Sequence, residues 1–168
     1  MSDAMPVPVV DEDQERASAH RLVQLRFKPL WLYLDSVREF CSFFARTTFS
    51  DPSLGHRVGV VVHELVENAV RHGDDRELDL TIEGTADEFR VVVRNTASDD
   101  QIEMLGENVR KLENTNPEQA YIEAMRAAVG RPDDESGLGL ARVRHEGRVD
   151  LAFSAEGGTV SVTARGLL

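Results

Sequence analysis

Residues 63–75, HELVENAVRHGDD, constrain the fold more than any other part of the chain. Glu64 and Asn68 stand four positions apart, so on an α-helix their side chains point almost the same way. Apolar residues occupy most of the remaining girth of that helix: Val58, Val61, Val62, Leu65, Val66, Ala69 and Val70. Burying an unpaired carboxylate or amide costs about 1–3 kcal/mol or more. The pattern therefore predicts a largely buried helix on which something satisfies two polar side chains.

Apolar residues that alternate with polar ones predict five strands elsewhere in the chain. The runs are LVQLRF at residues 22–27, ELDLTIEG at 77–84, EFRVVVRN at 88–95, RVDLAFS at 148–154 and TVSVTAR at 159–165. The last two runs predict a hairpin, because Glu156, Gly157 and Gly158 can form a turn between them. The alternation predicts one buried face and one wetter face for each strand.

Helical patterns lie between these strands. A first helix is predicted at residues 31–47, where one stripe is apolar: Leu34, Val37, Phe40, Cys41 and Phe44. The helix of the opening motif is predicted to begin within residues 51–53, with Pro52 in its first turn, and to end at Gly73. A short helix is also predicted after the glycines of ESGLGLARV, residues 135–143.

Residues 98–136 are predicted to form a helical insert between the third strand and that short helix. From Ser98 onward the apolar residues recur at three and four positions: Ile102, Leu105, Val109 and Leu112. A shorter helix follows, and its signals are an Asn116 cap, Pro117, Gln119 as part of a capping box, and Gly130 with Pro132 at the end.

The order of these elements predicts an α+β fold, a two-layer sandwich with helices packed on one face of a mainly antiparallel mixed sheet. A length of 168 residues favours one domain, which we assign to residues 21–168. Residues 1–20 mix prolines with an acidic run and show no period, so they are predicted to be a flexible acidic tail.

The formal net charge of -11 argues against non-specific binding to nucleic acid or to anionic membranes, although a local basic patch could still bind phosphate. Cys41 is the only cysteine, which excludes an internal disulfide and a cysteine-based zinc site, and we expect it to pack in the core. The sequence shows no apolar run of the length of a membrane span and no signal peptide, so a cytoplasmic location is expected.

Three motifs, in the same order, resemble those of the GHKL ATPases, the superfamily of histidine-kinase catalytic domains, gyrase and anti-sigma-factor kinases. HELVENAVRHG at residues 63–73 resembles the N box, ESGLGLARV at 135–143 the second glycine box, and EGGTVSV at 156–162 the terminal hairpin. The form E-L-V-x-N-A-V-x-H-G is most similar to bacterial anti-sigma-factor serine kinases, which carry this domain alone. The resemblance covers residues 21–166 and implies the histidine-kinase-like ATPase fold.

The resemblance implies a role for each polar residue of the opening motif. Asn68 matches the asparagine that binds Mg²⁺ through its side-chain oxygen, and the metal bridges the phosphates of ATP. Glu64 matches the glutamate that acts as general base on the attacking hydroxyl. Arg71 and His72 fall where related proteins place a basic side chain toward the phosphates.

The second glycine box implies that Gly137, Leu138 and Gly139 cradle phosphate. Glycine lets the backbone come close, and the helix that follows offers N–H groups and the positive end of its dipole. By itself a G-x-G pattern is weak evidence, because an ordinary turn into a helix can also carry it, but its position after a long insert and before a helix and a hairpin strengthens it. Thr159 is left open between a plain hairpin position and a place near the nucleotide.

One motif departs from the family. A D-x-G-x-G sequence is expected after the N box, with an aspartate that accepts a hydrogen bond from the amino group of adenine. Here Asn95 takes the place of the aspartate, Ala97 the first glycine and Asp99 the second. Asn95 can still accept through its oxygen but is a weaker, neutral acceptor, Ala97 enters positive φ less readily, and Asp99 is expected to cap the next helix.

The resemblance implies ATP and Mg²⁺ as cofactors and a serine/threonine kinase of a bacterial partner-switching pathway that phosphorylates a STAS-domain anti-anti-sigma protein. It allows a sigma factor as a second partner and a homodimer as the assembly. In this interpretation residues 98–136 are the ATP lid, long enough to suggest a particular partner; the alternative for that segment is extra core.

Two further interpretations stay open. A non-catalytic module with the same fold could have lost ATP binding and sequester a STAS-type or sigma-factor partner. A stand-alone ATPase has less support, since nothing in the sequence indicates how hydrolysis would be coupled to work. His63 is predicted to lie on the helix surface and not to accept a phosphoryl group, because the separate dimerisation domain of sensor kinases has no counterpart here.

Overall fold

The structure is a computed structural model that describes residues 21–130 and 137–168. The predicted N-terminal tail and Pro132 lie outside the described residues. Within them, one sheet is built from five strands: β1 (Arg21–Phe27), β2 (Leu78–Gly84), β3 (Glu88–Thr96), β4 (Asp150–Glu156) and β5 (Thr159–Leu167). All five predicted strands are therefore present, with the fourth displaced by two residues along the chain.

The strands are arranged in the order β1-β2-β3-β5-β4. Each neighbouring pair is antiparallel, so the prediction of a mixed sheet is corrected to an antiparallel one among the described strands. Burial alternates along β2 and β5, which gives the sheet one apolar face. Turn residues Gly157 and Gly158 both have positive φ, as a tight hairpin between β4 and β5 requires.

Five helices complete the described chain: α1 (Trp31–Thr48), α2 (Pro52–His72), α3 (Asp99–Glu113), α4 (Pro117–Ala128) and α5 (Leu138–Gly147). Together with the sheet they form the predicted α+β two-layer sandwich. Helix α2 lies at its centre and contributes much of the core, including Val58, Val61, Val62 and Val66, which have no exposed surface. Cys41 is buried in the same core, as expected, and burial raises the pKa of its thiol to about 12.

The helix boundaries follow local capping chemistry. The side chain of Asp51 accepts a hydrogen bond from the backbone N–H of Ser53 at 2.8 Å, and Pro52 occupies the first turn of α2, as predicted. At α3 the cap is Ser98, which forms a capping box with Gln101, so the expectation that Asp99 caps this helix is wrong.

Two other details differ from the sequence prediction. Gln119 does not complete a capping box at α4; Asn116 caps the helix alone, and the Gln119 amide donates to Glu123 at 2.9 Å. Phe40, expected in the apolar stripe of α1, is 45% exposed. It lies on the outer side of that helix, with Phe43 also exposed, whereas Leu34 and Cys41 face the core.

Arg57 on α2 joins three distant parts of the chain. Its guanidinium donates to the carbonyls of Gly147, Arg148 and Leu167 at 3.0, 3.3 and 2.9 Å, which are the ends of α5 and β5. These bonds satisfy carbonyls that a helix end and a strand end leave open, and they fix α5 against α2. Among the described helices, none has the length and apolar character needed to cross a membrane.

Candidate functional site

A cavity of about 290 Å³ opens between α2, α5, α3 and the ends of β3 and β5. Its volume is close to the lower end of the range typical of small-molecule sites. The residues that line it come from all these elements and mix charged, amide and apolar side chains: Glu64, Leu65, Glu67, Asn68, Ala69, Arg71, His72, Val93, Asn95, Ala97, Gln101, Ile102, Met104, Leu105, Asn108, Gly137, Leu138, Gly139, Leu140, Arg142, Val160 and Val162.

The structure brings together all but one of the residues that the sequence assigned to the nucleotide, the metal or catalysis. Those that line the cavity are Glu64, Asn68, Arg71, His72, Asn95, Ala97, Gly137, Leu138 and Gly139. The exception is Thr159, an exposed residue at the start of β5 that pairs with Thr96 and Glu156 in the hairpin region. Their roles toward a ligand remain predictions, but their placement in one cavity is a property of the fold.

Glu64 is the most deeply buried polar residue of the site, with 8% of its surface exposed. Its Oε1 accepts a hydrogen bond from Nη1 of Arg142 at 3.0 Å. Burial raises the pKa of Glu64 above its ordinary value, and the positive charge of Arg142 opposes that rise. Arg142 therefore provides the hydrogen-bond partner for Glu64, one of the two polar residues on α2. It does so from α5, a helix that is distant in sequence.

Arg142 is a site residue that the sequence pattern did not predict. It follows the second glycine of GLGL by three positions, so one turn of α5 carries it back over the cavity edge. The sequence did offer one signal for a role of Arg142: it lies in the first turns of a helix that was predicted to start beside a phosphate site.

The two positions at the start of α5 require glycine for different reasons. Gly137 caps the helix with φ 65, the left-handed conformation that only glycine adopts at little cost. At Gly139 the constraint is space, because a Cβ there would lie 2.8 Å from Oε2 of Glu64. The turn that opens α5 is therefore shaped around the Glu64 carboxylate.

Asn68 lies one turn after Glu64 on the same face of α2 and lines the cavity. Within the described residues its side chain forms no hydrogen bond, so its amide oxygen is available to a ligand in the cavity. An amide oxygen is a suitable ligand for a hard cation such as Mg²⁺.

Arg71 and Glu67 form a second ion pair at the cavity rim. Nη2 of Arg71 donates to Oε1 of Glu67 at 2.9 Å, and its guanidinium carbon lies 5.1 Å from the centre of the Trp31 ring. Arg71 is thus held by α2 and by the start of α1 at once. His72, the other basic residue predicted here, lines the same rim.

The β3 end of the cavity is lined by Asn95 and Ala97. The side-chain nitrogen of Asn95 donates to the carbonyl of Thr96 at 3.1 Å, and the backbone N–H of Ala97 donates to the carbonyl of Gly158 at 3.1 Å. Gly73 pairs with Ala97 in an isolated bridge, and a Cβ at Gly73 would lie 2.9 Å from the Asn95 side-chain nitrogen. This end is neutral, and backbone hydrogen bonds fix its shape.

Helix α3 provides a wall that combines apolar side chains with two amides. Ile102 and Leu105, which were predicted to be part of an apolar stripe, line the cavity, whereas Val109 of the same stripe is buried in the core. The stripe therefore serves both interpretations of the helical insert, since one end covers the cavity and the other adds to the core. Gln101, Met104 and Asn108 also line this wall, and the sequence pattern did not single them out.

His63 is half-buried and not a plain surface residue. Its Nε2 lies 3.7 Å from Glu67, and its Nδ1 is buried without a hydrogen-bond partner in the described chain. His63, Glu64 and Glu67 place possible ligand atoms within 4.8 Å of one another, but each carboxylate already has an arginine partner. Both carboxylates of this cluster are consequently engaged in ion pairs.

A comparison with proteins of known structure finds the same fold. A chain of the crystal structure of the SiaB–SiaC complex from Pseudomonas aeruginosa matches with a TM-score of 0.66 and 11% sequence identity. The match covers 94% of this chain and 95% of that chain. No protein-family model and no curated protein sequence matches this chain. At this identity the likeness extends to the fold alone.

Proposed function

We propose that this chain is an ATP- and Mg²⁺-binding serine/threonine protein kinase of the GHKL type. It would transfer a phosphoryl group to a hydroxyl of a STAS-domain anti-anti-sigma protein in a bacterial partner-switching pathway. The observation that carries the proposal is the convergence of Glu64, Asn68 and the Gly137–Gly139 turn on one cavity, although they come from two helices far apart in sequence.

The residues present suit the anionic part of a nucleotide. The turn at Gly137 precedes the first turn of α5, where the helix dipole is positive. Asn68 presents an amide oxygen as a ligand for Mg²⁺, and Arg71 and His72 add basic groups at the rim. When bound, Mg²⁺ supplies positive charge that offsets the phosphates. The chain holds the phosphates and leaves the opposite, neutral end for the base.

Glu64 is the candidate general base. The proton of the substrate hydroxyl would move to its carboxylate as the oxygen attacks the terminal phosphorus and the bond to the departing ADP breaks. Burial gives this carboxylate a higher proton affinity than an exposed glutamate has, which favours the transfer, and Arg142 keeps it oriented. The apolar wall from Ile102 and Leu105 would exclude water from the reacting groups.

A second candidate function is supported by the neutral end of the cavity. Residue 95 is an asparagine and not an aspartate, so the charged acceptor expected for adenine is absent from this position, and its side-chain nitrogen donates to the Thr96 carbonyl. A non-catalytic module that retained the fold and sequesters a STAS-type or sigma-factor partner would need no such acceptor. The similar chain of known structure comes from a complex of two proteins, SiaB and SiaC, which supports a protein partner in either case.

Titration calorimetry of the full chain with ATP and Mg²⁺ separates the two. Micromolar to submillimolar binding that requires the metal supports the kinase, and the absence of heat at millimolar nucleotide supports the module. Incubation with labelled ATP and a purified STAS-domain protein then tests transfer, with a Ser-to-Ala acceptor as the control. A homodimer and a cytoplasmic location remain part of this proposal.

A further inference from the structure

Four side chains link the helical insert to Glu64 through consecutive hydrogen bonds. The hydroxyl of Tyr121, on α4, donates to Oε1 of Glu146 at 3.2 Å. The same oxygen accepts from Nε of Arg142 at 3.0 Å, and Nη1 of Arg142 donates to Oε1 of Glu64 at 3.0 Å. Helix α4 therefore reaches a buried carboxylate of α2 through two residues of α5.

Arginine is suited to the central position of this series of hydrogen bonds. Its planar guanidinium offers several N–H groups in a fixed arrangement, so one cation can bond two carboxylates that lie on different helices. Burial acts to raise the pKa of Glu146, but the hydrogen bonds from Arg142 and Tyr121 lower it below its ordinary value, so this residue stays charged. Both carboxylates that Arg142 contacts then attract it.

Glu64 has little freedom to move away from Arg142. Its Oε1 is hydrogen-bonded to the guanidinium, and its Oε2 lies in the space that the absent side chain of Gly139 leaves. A change in the position of Arg142 is thus transmitted to the carboxylate, and a change in the charge of the carboxylate is transmitted to Arg142.

We propose that these four residues couple the helical insert to the cavity, with Arg142 as a positioning residue for Glu64 and with the attachment of α4 dependent on the charge of Glu64. The inference deepens the proposed function, because it names how that site is regulated. Coupling is reciprocal: a protein that displaces α4 weakens the hold on Glu64, and a ligand group that engages the Glu64 carboxylate loosens α4.

Other contacts hold the insert in place independently of the hydrogen bonds that join Tyr121 to Glu64. The rings of Tyr121 and His145 stack with centroids 5.0 Å apart, and Arg144 donates to the carbonyls of Leu112 and Thr115 at the end of α3. The insert therefore stays folded when the coupling is broken, and the expected change is a local increase in the opening of α4.

Hydrogen exchange of the ligand-free full chain tests the coupling at residues 117–128. Glu64→Gln and Arg142→Gln should each speed exchange there about fivefold, the effect of losing a charge-assisted hydrogen bond. Glu67→Gln is the matched control, because Glu67 lies on the same helix and lines the same cavity but pairs with Arg71. Peptides of β4 and β5 report any global loss of stability. Arg142→Lys should behave like Arg142→Gln, since one ammonium cannot bridge both carboxylates in the same way.

A double variant distinguishes coupling from two separate structural effects. Tyr121→Phe removes the hydroxyl and keeps the ring on His145, so it should speed exchange in α4 alone. With Glu64→Gln added, exchange should be no faster than in the faster single variant. Multiplied accelerations, or α4 exchange at the wild-type rate in both Glu64→Gln and Arg142→Gln, would overturn the proposal. Because no nucleotide is present, failed ATP binding in the calorimetric titration counts against the proposed kinase and leaves this result standing.

Discussion

The two ends of the cavity hold their polar groups in different ways. At the α2–α5 end, charged side chains pair across or along helices, as Glu64 does with Arg142 and Glu67 with Arg71. At the β3 end, Asn95 and Ala97 are neutral and bond to neighbouring backbone carbonyls. The end that we propose for phosphate and metal thus keeps its charged residues, and the end that we propose for a base carries neutral ones. Affinity for the anionic portion of a ligand and recognition of its base can consequently be separated by mutation.

The largest effect is expected from Glu64→Gln at the charged end. The amide keeps the shape of the side chain but cannot take a proton, so transfer to a STAS-type acceptor should fall by about 100-fold or more. ATP affinity should change little. Single-turnover transfer assays measure the loss, with Glu113→Gln, an exposed carboxylate outside the cavity, as the control. Undiminished transfer would show that the Glu64 carboxylate has no catalytic part.

Asn68→Ala should remove the metal-dependent stabilisation that ATP provides. At a ligand concentration 100 times the dissociation constant, that stabilisation amounts to about 2.7 kcal/mol. The melting temperature without ligand should stay nearly constant, because Asn68 has no hydrogen-bond partner in the described chain. Thermal shifts with and without ATP and Mg²⁺ test this, and Asn114→Ala, an exposed amide outside the cavity, is the control. Equal ATP-induced shifts in Asn68→Ala and wild type would contradict the assignment.

Gly139→Ala probes the close approach of α5 to Glu64. The new methyl group would lie 2.8 Å from Oε2, so the carboxylate or the turn must move, and a loss of about 1–2 kcal/mol in unfolding free energy is expected. Gly59→Ala, at a helical position where the nearest atom would be 3.5 Å away, should be neutral or stabilising. Chemical denaturation compares the two, and equal effects would mean that Glu64 is not confined by Gly139.

The smallest effect concerns the neutral end. If the pocket still admits adenine, Asn95→Asp should tighten ATP by about 1 kcal/mol, or fivefold, because a charged acceptor forms the stronger hydrogen bond. GTP carries a carbonyl where ATP has the amino group, so its affinity should not improve. Titrations of wild type and Asn95→Asp with ATP and with GTP test whether the pocket admits adenine. A wild type that binds neither, with a variant that does no better, leaves the non-catalytic module as the surviving account.

Features with a local cause were predicted well from sequence. Period and capping residues located α2 and its start at Asp51, and the i,i+4 spacing placed Glu64 and Asn68 on one face. The strands were predicted from the alternation of apolar and polar residues, because each strand packs one apolar face against the helices. The resemblance to known motifs then indicated which distant glycines belong beside α2.

Features that depend on tertiary packing were not predicted. Arg142 was missed because its partner Glu64 is distant in sequence, and no local pattern distinguishes it from other arginines. Phe40 was placed in the core because it fits the helical period, but α1 turns that edge outward. Ser98 and Asp99 are both good caps, and only the geometry of the strand end selects Ser98.

The helical insert lies in a loop that the sheet itself closes. Pairing of Thr96 with Thr159 joins β3 to β5, and the bridge of Ala97 to Gly73 fixes the point where the insert leaves the sheet. The entropy cost of closing a loop grows only with the logarithm of its length, by about 0.6 kcal/mol for each doubling. Loop closure therefore adds little to the free-energy cost of a longer insert, and changes of length at its turns, away from Tyr121 and the cavity wall, are expected to leave the charged end of the cavity in place.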